Sequence, residues 1–183
     1  MSAKRSLYEN MPKVKAEEIV QPTERVVMIR RISKVTAGGK HLRFNALAAL
    51  GDGRGLIGLG LGKADAVPDA VRKAVAAARK NMIRVPLRDA TIPHETLGTF
   101  SASQVMLKPA VAGTGVVAGA TVRAVVELAG IKDILTKSLG SPNRVNLAKA
   151  TLEALASLRM PEAEVAKRLQ PLAESSPRTA RNA

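Results

Sequence analysis

The sequence predicts an α+β protein in which a β-β-β-α unit is followed by an α/β unit of βαβα order. Three observations carry that assignment. Val26 to Val35 and His41 to Leu50 are strand-like runs separated by a Gly-Gly turn. Gly51 to Lys63, GDGRGLIGLGLGK, places six glycines in thirteen positions just ahead of an amphipathic stretch. From Val105 to Leu158, apolar glycine-punctuated segments repeat a strand-then-helix rhythm.

Residues 1–24 are polar, contain Pro12 and Pro22, and lack periodicity, so they are expected to form an arm outside the core. The first domain is expected over 25–88. Its hairpin turns at Thr36-Ala37-Gly38-Gly39-Lys40, and Leu42, Phe44 and Ala46 alternate with His41, Arg43 and Asn45 on the returning strand. Gly51 to Gly55 turns the chain again into a third strand, Leu56 to Gly62. Asp65 suits a helix N-cap and Pro68 the first turn. The helix should run to about Met82, burying Val67, Val71, Ala74, Val75, Ala78 and Met82 and turning Arg72, Lys73, Arg79 and Lys80 outward.

Residues 89–104 read as a linker, and the second domain is expected over 105–160. A strand at Val105 to Lys108 precedes a helix over Val117 to Ala129 that Gly130 closes. Ile131 to Leu139 fits either a helix or a strand. A last helix should start after Ser141-Pro142 and bury Leu147, Thr151, Ala154, Leu155 and Leu158. Residues 161–183 read as a tail with room for one short helix.

Lys and Arg number 29 against 15 Asp and Glu among 183 residues, a net charge of +14 that points to a polyanionic partner. With no Trp, one Tyr and two Phe, the chain has no platform for stacking successive unpaired bases and no aromatic anchors for a membrane interface. No uncharged run reaches the roughly 20 residues of a membrane span, and the N-terminus lacks the apolar core of a secretory signal. The absence of cysteine removes disulfides and thiolate metal sites, in keeping with a cytoplasmic location. Recognition of folded nucleic acid by shape and phosphate is what remains.

The motifs for catalysis fail on spacing. Gly62-Lys63 would need Gly at Ile57 and Ser or Thr at Ala64 to form a P-loop. Gly53-x-Gly55-x-x-Gly58 precedes a strand instead of opening a helix. Gly113-Thr114-Gly115-Val116-Val117-Ala118 is the better dinucleotide candidate, with Asp133 twenty residues on, but Pro109 interrupts the approach. His94-Glu95 has Gly98 where a zinc motif needs its second histidine. Glu127, four residues after Arg123, suits a solvated helix pair. No catalytic residue, metal, cofactor or small-molecule substrate is therefore expected. A nucleotide-binding enzyme and a free-standing duplex-RNA or nucleoid binder are the alternatives.

The cations make a collective case. Arg30, Arg31, Lys34, Lys40 and Arg43 lie on the hairpin, Arg54 and Lys63 flank the glycines, and the helix adds Arg72, Lys73, Arg79 and Lys80. Gly38, Gly39, Gly55 and Lys108 complete the expected nucleic-acid-binding set. Gly58, Gly60 and Gly62 are expected to keep the third strand bare, so that backbone N–H groups and the flanking cations meet the ligand.

GDGRGLIGLGLGKADAVPDAVRKAVAAARKNMI, TIPHETLG, LKPAVAGTGVVAGATVRAVVELAGIKDILTKSLGS and NLAKATLEAL together resemble the bacterial small ribosomal subunit protein five family, over about Glu24 to Leu158. The resemblance implies an N-terminal double-stranded-RNA-binding-like domain and a C-terminal α/β domain of the ribosomal protein five domain-2 type. It implies binding to 16S-type rRNA, contact with ribosomal proteins four and eight, and roles in assembly, the mRNA entry path and translational accuracy. By position it puts the hairpin loop with Gly38 and Gly39 at the subunit neck, in a segment associated with spectinomycin sensitivity. It also puts Gly113, Thr114, Gly115 and Arg123 near the interface with protein four. Leu59 and Leu61 replace aromatics common in the family, Ala120 replaces a frequent glycine, and Thr99 to Ser103 lacks the usual basic character. Pro142-Asn143-Arg144-Val145 replaces the usual Asn-rich turn.

Overall fold

The computed structural model describes residues 22–162 together with 164 and 165. In chain order the elements are β1 (Thr23–Thr36), β2 (Gly39–Gly51), β3 (Leu56–Ala64), α1 (Val67–Lys80), β4 (Met82–Arg84), β5 (Thr96–Phe100), β6 (Ser103–Pro109), β7 (Val116–Val117), α2 (Ala120–Leu128), β8 (Ile134–Gly140) and α3 (Arg144–Ala156). Two four-stranded sheets result, ordered β1-β2-β3-β4 and β5-β6-β8-β7. All pairings are antiparallel except β7 with β8, which α2 connects. The architecture is α+β, as expected. Most of the N-terminal arm and C-terminal tail lies outside the described residues, while Thr23 and Glu24 already belong to β1.

In the first sheet, alternation assigns each face its partner. Ala46, Ala48 and Leu50 pair across from Gly62, Gly60 and Gly58 and face α1, whereas Leu47 and Ala49 pair with Leu61 and Leu59 on the other face. Pro68 stands in the first turn of α1, but the N-cap is Ala66 with no side-chain cap. Asp65 does not cap, because its Oδ1 accepts from Arg43 Nε at 2.6 Å. The helix buries Ala70, Ala74 and Ala78 most deeply and leaves Val67, Val71 and Val75 half-buried. Small residues face the sheet because a Cβ on Gly58, Gly60 or Gly62 would lie 2.4, 2.0 or 2.1 Å from a carbonyl oxygen of α1. Backbone packs on backbone there.

The second half corrects the βαβα expectation. Thr96–Phe100, within the segment read as linker, is β5, and it forms an antiparallel hairpin with β6. The same packing device appears again, since a Cβ on Gly98 would lie 2.1 Å from Ala150 O of α3. Glycine in this segment signals a close helix, not a flexible connection. Val116 and Val117 leave the expected helix to pair with Ile134 and Leu135, so α2 starts at Ala120. Gly130, with φ of 92°, follows the Ala129 C-cap as expected. The ambiguous Ile131–Leu139 segment resolves into β8 from Ile134 onward. Asn143 caps α3 by accepting from Val145 N at 3.2 Å.

One apolar core joins the two halves. Leu47, Ala49, Ile57 and Leu59 on the far face of the first sheet share it with Val122, Val125 and Leu128 of α2 and Leu147 and Leu155 of α3. The first sheet is thus packed by α1 on one side and, over Leu47, Ala49, Ile57 and Leu59, by the second half on the other, while Arg30, Leu61 and Lys63 on that side stay exposed. Among the described residues no helix is long and apolar enough to cross a membrane.

Candidate nucleic-acid interface

The glycine loop between β2 and β3 spends its donors inside the protein. Gly53 N donates to Leu128 O at 3.0 Å and Gly55 N to Ala129 O at 2.9 Å, satisfying carbonyls that the end of α2 would otherwise leave open. Asp52 Oδ1 accepts from Arg54 N at 2.7 Å and Leu56 N at 3.0 Å. The expectation that these backbone N–H groups meet a phosphate is corrected: all four are occupied by the chain itself. Gly55 is buried, and its carbonyl accepts from Val85 N at 2.8 Å. The Arg54 side chain remains exposed.

The expected cations do not form one surface. Register places Arg30, Asn45 and Lys63 in a row across β1, β2 and β3, on the face that also carries Leu47 and Leu61. Lys34 and Arg43 continue that face toward the hairpin tip, opposite His41 and Ile32. Arg31 and Lys40 pair with Phe44 and Val35 on the other face. Arg72, Lys73, Arg79 and Lys80 are exposed on α1, which covers that other face, so the sheet separates them from the Arg30 row. Arg54 lies in the turn before β3 and Lys63 near its far end, so seven strand steps from Leu56 to Lys63, roughly 23 Å at about 3.3 Å per residue, separate their regions.

Among the described residues, Arg43 pairs with Asp65, Arg72 with Asp69 at 3.7 Å, and Lys108 with Glu95 at 3.5 Å. Arg30, Arg31, Lys34, Lys40, Arg54, Lys63, Lys73, Arg79 and Lys80 are exposed and have no ion-pair partner among the described residues. Gly38 and Gly39 form the exposed hairpin turn, Gly39 at φ of 132°, with Thr36 Oγ1 donating to Gly39 O at 3.1 Å. An exposed loop carrying Lys40 at the end of a long hairpin can reach a polyanion well beyond the core.

In the second half, Val111 to Thr114 form a turn in which Thr114 N and Oγ1 both donate to Val111 O, at 3.1 and 2.7 Å, and Gly115 follows it. Gly115 N donates to Asp133 Oδ1 at 2.8 Å, and Asp133 is buried. The acid that a dinucleotide reading assigns to a ribose therefore already holds the glycine that the same reading assigns to the pyrophosphate. Arg123 is exposed and donates to Val116 O at 3.2 Å. Glu127 pairs with Arg25 of β1, not with Arg123, and so ties the halves together across 102 residues of sequence. His94 Nε2 accepts from Arg159 N at 3.1 Å, and no three metal-ligating side chains cluster among the described residues.

Sequence reasoning missed three contributions. Leu59 is buried in the shared core, and Leu61 lines a cavity of about 300 Å³ with Leu47, Ala77, Val145 and Lys149. Lys149 also stands 4.7 Å over the Phe100 ring. A strand followed by α3 some eighty residues later leaves no local periodicity that would reveal these contacts.

Exposed cations on a sheet face and a long hairpin, with the Gly53, Gly55 and Gly115 donors taken up inside the chain, describe an α+β protein with a basic surface. Comparison with known proteins is more specific. Residues 23–86 match the family described as ribosomal protein S5, N-terminal domain, and residues 98–169 match ribosomal protein S5, C-terminal domain. The chain is 57% identical over 144 residues to the small ribosomal subunit protein uS5 of Thermotoga maritima, covering 79% of this chain and 80% of that protein. It is 55% identical over 159 residues to uS5 of Thermotoga neapolitana, covering 87% of each. Identity to uS5 of Pseudothermotoga lettingae is 54% over 156 residues, covering 85% of this chain and 86% of that protein. The chain belongs to the ribosomal protein S5 family, a structural and non-enzymatic class.

Proposed function

We propose that the chain is a structural constituent of the small ribosomal subunit in the cytoplasm and binds folded 16S-type rRNA through its N-terminal half, acting as a double-stranded-RNA-binding-like module. The observation that carries this reading is the set of exposed cations, without ion-pair partners among the described residues, on the β1–β2 hairpin and its sheet face, in a chain of the S5 family. Phosphate contacts by such side chains position a protein on RNA without reading bases, in keeping with two Phe and one Tyr in the whole chain.

In this reading residues 25–88 and Lys108 contact rRNA, and part of the second domain over 105–160 meets a neighbouring protein. The hairpin loop Thr36–Lys40 reaches the neck of the subunit, and the Gly113–Gly115 turn with Arg123 faces ribosomal protein four. Protein eight and the mRNA entry path lie close by, and the chain supports assembly and translational accuracy. The exposed turn at Gly113–Gly115 and the exposed Val111 beside it favour a protein contact there. The test is cosedimentation of the tagged full-length chain with small subunits purified through a high-salt wash. Retention at one copy per subunit is expected, and its absence from washed subunits would overturn the reading.

A further inference from the structure

Among the described residues, Asn45 Oδ1 is the only buried side-chain polar atom without a hydrogen-bond partner. Its place in the sheet is specific. Asn45 pairs with Arg30 on one side and Lys63 on the other, so a cation, an amide and a second cation stand in one row on one face. Both cations are exposed and have no ion-pair partner among the described residues. Proteins rarely leave a buried acceptor unmet, and an ordered water or a group of a bound partner is what completes one.

The charges beside Asn45 say which donor fits. Arg30 and Lys63 favour a phosphate backbone, whose phosphate oxygens only accept hydrogen bonds. In that backbone the ribose 2′-hydroxyl is the group able to donate, and DNA lacks it. We propose that this row recognises RNA as RNA: Arg30 and Lys63 hold phosphates flanking one ribose, and Asn45 Oδ1 accepts from its 2′-hydroxyl. Strand spacing puts the two cationic backbones roughly 10 Å apart, within reach of one stretch of RNA backbone. The inference rests on the RNA-binding reading above and adds a discriminating residue to it.

The experiment measures binding of the full-length chain to three duplexes of one sequence, about 20 base pairs long so as to exceed the roughly 16 that a duplex-RNA module spans. They are RNA, DNA and RNA methylated at every 2′-oxygen, the last removing the donor by chemistry on the ligand and so independently of any effect on folding. The wild-type chain should bind RNA about tenfold more tightly than the methylated duplex, the worth of one hydrogen bond. Asn45→Leu should erase most of that gap while keeping or raising the melting temperature, because it removes an unmet polar atom. Equal wild-type affinity for RNA and methylated RNA, or an unchanged gap in Asn45→Leu, would overturn the inference and leave the ribosomal reading standing. A wild-type chain that binds no RNA would overturn both.

Discussion

A Cβ built on Gly60 would stand 2.0 Å from the carbonyl oxygen of Ala74 and 2.3 Å from the amide nitrogen of Ala78. Helix α1 therefore lies on β3 at a distance that only hydrogen atoms fit. Gly60→Ala should force the two backbones apart and destabilise the fold by about 3 kcal/mol, at the upper end of overpacking costs. Gly38→Ala is the control, because a Cβ there meets nothing within 4 Å. Denaturant unfolding should show a lowered midpoint for the first variant and little change for the second; equal midpoints would mean that the glycines of β3 do not govern this packing.

Asp52 holds the glycine loop from within by accepting two backbone N–H groups. Asp52→Ala should cost about 1 to 2 kcal/mol, since hydrogen bonds to a charged acceptor are worth more than neutral ones. Hydrogen exchange should locate the loss, with faster exchange at Gly53 and Gly55 and at the end of α2. Unchanged exchange there would contradict the view that the loop serves α2.

Leu59 and Leu61 are two residues apart on the same strand face, yet Leu59 is 8% exposed and Leu61 41%. Leu59→Ala should cost about 2 to 4 kcal/mol and Leu61→Ala less than about 1. Thermal unfolding of both variants measures the contrast. Equal losses would place the second half differently over β3.

The hairpin, the glycine turns, Pro68 in the first turn of α1 and Gly130 after α2 were legible in the sequence, because each depends on residues close together in the chain. What was not legible depends on distant partners. Nothing near Gly98 announces that Ala150 lies above it, and nothing near Glu127 announces Arg25. The glycine run misled for a physical reason. Absence of a Cβ permits the approach of a ligand and of a helix equally, and only the alanines at 70, 74 and 78, spaced at four residues, distinguish the second case. The cations were identifiable singly, but the face each one takes is fixed by cross-strand partners, Asn45 for Arg30 and Phe44 for Arg31, and by which face α1 covers.

The cationic row makes a separate prediction about salt. Lys63→Ala should weaken RNA binding and lower the slope of log affinity against log salt by about 1, the loss of one phosphate contact. Lys167→Ala, in the tail, should change the slope little. Equal effects would assign binding to net charge instead of to the sheet face.

The central claim is that RNA meets the hairpin and the Arg30–Asn45–Lys63 row, while the glycine run packs the protein against itself. Photo-crosslinking of purified small subunits followed by mass spectrometry of the RNA-linked peptides tests this most directly. Crosslinks should fall in residues 30–45 and at Lys63. Crosslinks confined to Gly51–Gly62, with none on the hairpin, would contradict it.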